Sequence, residues 1–137
     1  MNPIRQKLNR LKKATSVAVL SKLISEIVQG ERNFIAKLNR DQLSQGEKAD
    51  DSSMPRYVQG SKSPSAPGKI TLFDTGEFHA SIEPLFDDRQ FELLSTDEKA
   101  EILVGKYGEI LGLNEESLNL LAQRIRPQLV ARVKELI

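Results

Sequence analysis

The chain has 137 residues, of which 39% are apolar, 5% are aromatic and none is cysteine. This size suits one domain with a small hydrophobic core, and the lack of cysteine excludes disulfides, thiolate metal sites and a cysteine nucleophile. No apolar run approaches the roughly 20 residues that span a bilayer, and no signal peptide is visible, so we expect no membrane partner.

The net charge of +1 conceals an uneven distribution of charge along the chain. Residues 1–40 carry nine Lys/Arg and two Glu, residues 41–117 carry seven Lys/Arg and sixteen Asp/Glu, and residues 118–137 carry four Lys/Arg and one Glu. The net charges of these segments are therefore +7, −9 and +3. Basic ends and an acidic middle can pair within the fold or between neighbouring copies in a ring, or they can form an ordinary solvated surface.

Residues 1–45 are predicted to be helical. In the first helix, Ile4, Leu8 and Leu11 form one apolar stripe. The basic residues of this helix are the candidate interface: Arg5, Lys7, Arg10, Lys12 and Lys13. They could contact DNA phosphates without sequence specificity, but no interleaved aromatic residues or recognised DNA-binding motif accompany them. We therefore expect the basic face to pack on an acidic partner.

The helical pattern continues through the rest of this segment. Thr15 and Ser16 are candidate N-caps for the next helix. Gly30 interrupts the apolar periodicity, which permits either two helices or one kinked helix. Gly46 is expected to cap the C-terminal end of the pattern.

Residues 46–69 change character and are rich in Gly, Ser, Pro, Asp and Lys. A loop of this length is uncommon inside a compact domain and is usually disordered or functional. We predict an interaction arm here. Tyr57 and Val58 are its main apolar residues, and Tyr57 is a further candidate interface residue.

Residues 70–95 are the candidate β element. Apolar runs at 70–73, 82–86 and 91–94 predict a two- or three-stranded antiparallel piece, with a turn at 87–89. Such a small sheet needs helices against one face to be stable.

Residues 96–137 are predicted to be helical again. Residues 95–98 have the spacing of a capping box, and Gly108 is placed to stop the helix that follows. Asn114 is the expected N-cap of the last helix, which Pro127 should kink or restart. The predicted buried positions of these two helices are Ala100, Leu103, Val104, Tyr107, Leu118, Leu121, Ile125, Leu129, Val133 and Leu136.

The sharpest catalytic candidate is the Leu-Phe-Asp-Thr-Gly segment at 72–76, which resembles the catalytic loop of retroviral-type aspartic proteases. That chemistry needs two such carboxylates sharing a proton across a dimer axis. The predicted helices on both sides, and the 38 positions from Asp74 to Gly112, leave no room for the strands and flap of such a protease. We therefore predict a structural turn, in which Asp74 or Thr75 caps a short helical turn and Phe78 enters the core.

His79 is the only histidine of the chain. A single histidine cannot form a His-rich metal site, and its neighbours Asp74 and Glu77 are weak indications of acid–base chemistry. We expect an ordinary surface or partly buried histidine. The sequence predicts no catalytic residue, no metal site and no cofactor, and we interpret the chain as a non-enzyme.

Several segments, taken together and in order, resemble a known group of proteins. They are Asn-Arg-Asp-Gln-Leu at 39–43, Lys-Ile-Thr-Leu-Phe-Asp-Thr-Gly-Glu-Phe-His-Ala-Ser-Ile at 69–82, Thr-Asp-Glu-Lys at 96–99, Lys-Tyr-Gly at 106–108 and Ile-Leu-Gly-Leu at 110–113. This combination is similar to small virion proteins of tailed bacteriophages, of the tail-completion or head–tail joining type found in phages of Bacteroidetes-type hosts. The resemblance covers roughly residues 35–115.

The resemblance implies a structural protein of the phage neck or tail that acts in an oligomeric ring. Its implied partners are further copies of itself and other neck or tail proteins, such as portal, adaptor, tail tube or terminator. The implied location is the virion, assembled in the bacterial cytoplasm. The residues expected to hold the fold are Asp74, Thr75, Gly76, Glu77, Phe78, Tyr107 and Gly108. The alternatives are a phage assembly chaperone or regulatory interaction protein and, remotely, an aspartic protease that uses Asp74.

These observations predict one α+β domain over residues 1–137. N-terminal helices at 1–45 and a helical C-terminal part at 96–137, with a long last helix, should pack on a small antiparallel β element at 70–95. The loop at 46–69 should connect them.

Overall fold

The structure is a computed structural model that describes residues 2–56, 68–87 and 90–137. Within these ranges the fold is α+β, as the sequence predicts, with six helices and a two-stranded antiparallel sheet. The elements are α1 (Pro3–Ala14), α2 (Val17–Gly30), α3 (Arg32–Ser44), α4 (Glu77–Ala80), β1 (Ile82–Phe86), β2 (Phe91–Ser95), α5 (Ala100–Tyr107) and α6 (Glu115–Leu136).

The ends of the N-terminal helices agree with the caps and the break that the sequence predicts. The Ser16 hydroxyl caps α2 by accepting a hydrogen bond from the Val19 amide at 3.4 Å. The interruption at Gly30 resolves into two separate helices, α2 and α3. Gly46 follows α3 with a φ of +72°, and a Cβ there would lie 2.4 Å from the Cβ of Lys69. Only glycine fits this position without strain.

The sheet is a single hairpin, in which Ile82 pairs with Ser95 and Phe86 pairs with Phe91. The sequence left open two strands or three, and the sheet has two, because residues 70–73 form no ladder. Leu72 takes a φ of +58°, which breaks an extended strand. The hairpin packs against α3 through β1, which supplies the helical cover that a two-stranded sheet needs.

The core is centred on α3, and most later parts of the described chain add buried side chains to it, although α5 adds none. Its buried members are Ile35, Leu38, Leu43, Met54, Phe78, Ile82, Leu93, Ile110 and Leu121. Met54 corrects the prediction for the loop at 46–69, because it anchors residues 46–56 to the core. The remaining arm candidates, including Tyr57 and Val58, lie outside the described residues, as do Asp88 and Arg89 of the predicted turn.

The C-terminal helices differ from the prediction mainly at their starts and at their exposed faces. The capping box does not form, and α5 begins only at Ala100. Instead, the Ser95 hydroxyl accepts a hydrogen bond from the Asp97 amide, and the Asp97 carboxylate accepts one from the Lys99 amide. Gly108 ends α5 and Asn114 caps α6 as predicted. Pro127 lies inside α6, which does not restart there.

Ion pairs fasten α6 to the N-terminal helices. The guanidinium of Arg132 lies 2.6 Å from the carboxylate of Glu26, and Arg124 pairs with Glu31. Arg124 also lies over the ring of Phe34, 4.3 Å from its centroid. These pairs join the basic C-terminus to acidic residues of the basic N-terminal segment, and do not draw on the acidic middle of the chain.

Candidate docking groove

A groove with a volume of about 870 Å³ opens between α2, the hairpin, α5 and the segment 108–113. Most of the side chains that line it are apolar, and they come from elements far apart in sequence. They are Ile24, Val28, Phe86, Phe91, Leu93, Leu94, Val104, Leu111, Leu113 and Leu118. The groove is therefore a product of tertiary packing, and sequence patterns did not indicate it.

Four of these side chains remain substantially exposed. Ile24, Leu94, Val104 and Leu118 are each between 39% and 48% exposed, and each comes from a different element. The predictions that Val104, Leu118 and Leu136 are buried are wrong for the described chain. Val104 and Leu118 line the open groove, whereas Leu136 ends α6 outside it and is 47% exposed. Single exposed apolar residues are normal, whereas a cluster of them in a concave site indicates a binding surface.

Carboxylates mark the polar part of the groove. Glu92 on β2 and Glu109 after α5 both line it and are both exposed, and Asp87 lies at the end of the hairpin. Among the described residues that line the groove, none is lysine or arginine. Arg32 lies over the ring of Phe86, 5.9 Å from its centroid, but is not a lining residue. The groove is therefore apolar with negative charge at its border.

Two buried amides on α3 hold one wall of the groove. The Asn39 Nδ2 donates to the carbonyl of Ile110 at 3.0 Å, and its Oδ1 accepts from the amide of Gly112 at 2.9 Å. One turn later, Gln42 Nε2 donates to the Gly112 carbonyl at 2.9 Å and its Oε1 accepts from the Asn114 amide at 2.7 Å. We call this set the amide clamp. It fixes the backbone of 110–114 as a neighbouring strand would.

Further hydrogen bonds form on both sides of the segment 110–114 that the amide clamp holds. Asn114 Nδ2 donates to Glu47 Oε2 at 3.2 Å, and Asn114 Oδ1 accepts from the Ser117 amide at 3.0 Å as the cap of α6. Lys48 Nζ donates to the Tyr107 carbonyl at 2.7 Å, near the C-terminal end of α5. The half-buried segment 47–49 thereby braces the groove wall, which is why part of the predicted loop is ordered.

Sequence reasoning missed the role of the amide clamp. Asn39 and Gln42 entered it only as part of the 39–43 segment of the resemblance. The sequence contained one indication of this role. Asn39 and Gln42 lie one turn apart on the helix face that also carries Leu38 and Leu43, so burial of that face buries both amides. A buried amide needs partners, but the sequence gives no means of finding them 70 or more positions away.

The Asp74-Thr75-Gly76 segment forms a turn outside the groove. The prediction that Asp74 or Thr75 caps the short helix is wrong, because the N-cap of α4 is Gly76, which has no side chain to cap it. Thr75 Oγ1 accepts from the Glu77 amide at 3.3 Å, two positions along the chain, and so stabilises the turn before the helix. Gly76 has a φ of +87°, and the Asp74 side chain is exposed. Phe78 is buried in the core as predicted. The geometry of the segment is that of a structural turn leading into β1.

His79 is more buried than predicted, with only 4% of its surface exposed. Its Nε2 donates to the Thr71 carbonyl at 2.7 Å, and the ring of Phe73 meets the imidazole edge-on at 5.2 Å. Burial lowers the pKa of His79 below its ordinary value. The hydrogen bond to Thr71 partly opposes this, and the charge of Arg40 adds to it. His79 thus fixes the irregular segment 71–73 against α4 as a neutral imidazole.

Apart from Tyr57, which lies outside the described residues, the candidate interface residues lie on α1 and do not line the groove. Arg5, Lys7, Arg10, Lys12 and Lys13 are all exposed. The apolar stripe between them is exposed too: Ile4 is 70%, Leu8 is 50% and Leu11 is 40% exposed. We call these three residues the α1 stripe. The helix packs on α6 and α2, and this contact covers the stripe only in part.

Tyr107 and Gly108, which were predicted to hold the fold, have different surroundings. Gly108 lines the groove, and half-buried Tyr107 packs against the core. Within the described residues, no cluster of three or more His, Cys, Asp or Glu side chains could hold a metal ion. No helix in the same part of the chain is long and apolar enough to cross a bilayer.

Comparison with known proteins adds no identification. No protein family, no curated protein and no solved structure matches this chain.

Proposed function

We propose that this protein is a structural component of the neck or tail of a tailed bacteriophage, which acts as part of an oligomeric ring and not as an enzyme. The observation that carries the proposal is the exposed apolar surface in two places, the groove and the α1 stripe. A chain of this size rarely leaves such surface open unless another molecule covers it. The resemblance of residues 35–115 to phage virion proteins supplies the context.

The structural role of the Asp74-Thr75-Gly76 turn supports the same proposal. The segment closest to a catalytic motif precedes a short helix, and its Asp74 is exposed and does not line the groove. An aspartic protease would need this carboxylate paired with a second one in a protected site. We therefore expect the purified wild-type protein to cleave no peptide substrate at acidic or neutral pH. Peptidase activity that disappears in Asp74→Asn would overturn the non-enzymatic assignment.

Mass spectrometry of purified particles tests the virion assignment directly. The expected result is that the protein is present in particles of the phage or prophage that encodes it, in a fixed ratio to the portal. Its presence in infected cells combined with its absence from finished particles would instead favour the alternative, an assembly chaperone or regulator, because such proteins leave before maturation. A ring component should also appear as a closed, symmetric oligomer in particle micrographs.

A further inference from the structure

We infer that α1 of one copy of this protein docks in the groove of a second copy, with the α1 stripe on the groove floor. This inference rests on the proposed self-assembly and specifies the contact that would produce it.

The first support is that both surfaces are apolar and incompletely covered. Ile4, Leu8 and Leu11 lie on one face of α1 because residues three and four apart share a helix face. The 12-residue helix is about 18 Å long at 1.5 Å per residue. Recognition of an amphipathic helix by an apolar groove uses this spacing of anchors.

The second support is charge complementarity. At 3.6 residues per turn, Lys7 lies beside the α1 stripe on one side and Lys12 lies beside it on the other. The lining of the groove carries Glu92 and Glu109 and, among its described members, no cation. A basic helix whose charges flank its apolar stripe therefore matches an apolar groove with an acidic border.

The third support is that the two surfaces are distinct in one chain. In the described structure α1 packs on α6 and α2, and no α1 residue lines the groove. A contact between two different surfaces of identical chains is heterologous, so each copy has one of each surface to offer. Repetition of such a contact closes into a ring when the rotation permits. The proposed contact thus has the geometry that a ring needs.

The groove also admits another kind of occupant. Within the described chain, β2 pairs with β1 alone, so an extended segment of a different protein could pair with its second edge. We favour α1 because the acidic border and the basic helix belong to the same chain. The two occupants are separable, since strand pairing by another protein does not require α1.

Charge reversal with a matched control tests the inference. The helix variant is Lys7→Glu/Lys12→Glu, and the control variant is Arg10→Glu/Lys13→Glu, which makes the same charge change on the opposite face of α1. The groove variant is Glu92→Lys/Glu109→Lys. All six side chains are exposed, so we expect circular dichroism spectra like that of the wild type. Sedimentation velocity over a concentration series then measures association.

The inference expects concentration-dependent oligomers of the wild type. Association should weaken about tenfold or more in the helix variant and in the groove variant, and remain within about twofold in the control. The four-site variant that combines helix and groove changes should associate again, because the charges are exchanged and not lost. If a reversal unfolds the chain, Ile4→Ser/Leu8→Ser and Leu118→Ser give the same test without charge.

Three outcomes overturn the inference. One is a wild type that stays monomeric up to about 100 μM, where even a weak contact is visible. Another is equal weakening by the helix variant and the control, which would indicate a general charge effect. The third is a groove variant that weakens association while the helix variant does not, which would indicate another occupant. None of these removes the protein from virions, so the particle analysis still decides the proposed function separately.

Discussion

Replacement of Asn39 by leucine should destabilise the fold by removing half of the amide clamp. Asn39 is fully buried, and its side chain serves one carbonyl and one amide of the groove wall. Leucine has a similar size but cannot hydrogen-bond, so both backbone groups lose this partner. An unsatisfied buried polar group costs about 1–3 kcal/mol. Ile110 is fully buried and bears the full penalty, whereas half-buried Gly112 is closer to water, so we expect a loss of about 2–4 kcal/mol in the free energy of unfolding.

Urea denaturation of the wild type and two variants measures this loss. Asn33→Leu is the matched control, because Asn33 lies on the same helix with an exposed side chain. The midpoint of Asn39→Leu should fall with an unchanged dependence on urea concentration, and Asn33→Leu should lie within about 0.5 kcal/mol of the wild type. Equal midpoints for the two variants would refute the claim that the clamp holds residues 110–114 in place.

Three further predictions concern the turn, the histidine and the ordered part of the loop. Gly76→Val should lower the free energy of unfolding by about 1–3 kcal/mol, because a Cβ at φ +87° is strained and lies 3.1 Å from the Phe73 ring. Gly105→Ala, in a helix with open space around it, should instead raise this free energy by up to about 1 kcal/mol. If thermal or urea unfolding shows Gly76→Val to be the more stable of the two variants, the turn geometry is contradicted. The free energy of unfolding should be flat near pH 7 and should decrease as the pH falls below 6.5, by at most about 1.4 kcal/mol per pH unit. The reason is that the histidine of the unfolded chain binds a proton that buried His79 resists. His79→Gln should lack this slope between pH 5 and 7, and a slope that persists in the variant would refute His79 as its source. Met54→Ala should cost about 2–4 kcal/mol by the same assay, whereas a residue of a free arm would cost almost nothing.

Features set by neighbouring residues were predictable. Ser16 and Asn114 cap their helices and Gly108 ends α5, because capping depends on residues within three or four positions. The α+β class and the hairpin followed from apolar periodicity for the same reason. The turn at Thr75 and Gly76 was also local, although the expected side-chain cap by Asp74 or Thr75 does not form and Gly76 is the N-cap.

Features set by distant contacts were not predictable. Periodicity could not decide whether residues 70–73 add a third strand, because His79 holds Thr71 through a side-chain hydrogen bond and Leu72 adopts a left-handed backbone conformation. Met54 was overlooked because polar neighbours surround it in sequence. The amide clamp joins Asn39 to Ile110 across 71 positions, so no window of sequence contains both.

The wrong burial predictions for Val104 and Leu118 have a different origin and bear on function. Their helical spacing correctly identified them as members of apolar faces, yet the described chain leaves both exposed at the groove. An apolar stripe indicates which face of a helix gains by leaving water, and it does not indicate which molecule covers that face. The α1 stripe is a comparable case, since its helix is correctly placed and its apolar side chains remain between 40% and 70% exposed. Under the proposed assembly, a neighbouring copy covers Val104, Leu118 and the α1 stripe, so their exposure in a single copy has one cause. Leu136 lies on neither surface, and its exposure at the end of α6 is not explained by this contact.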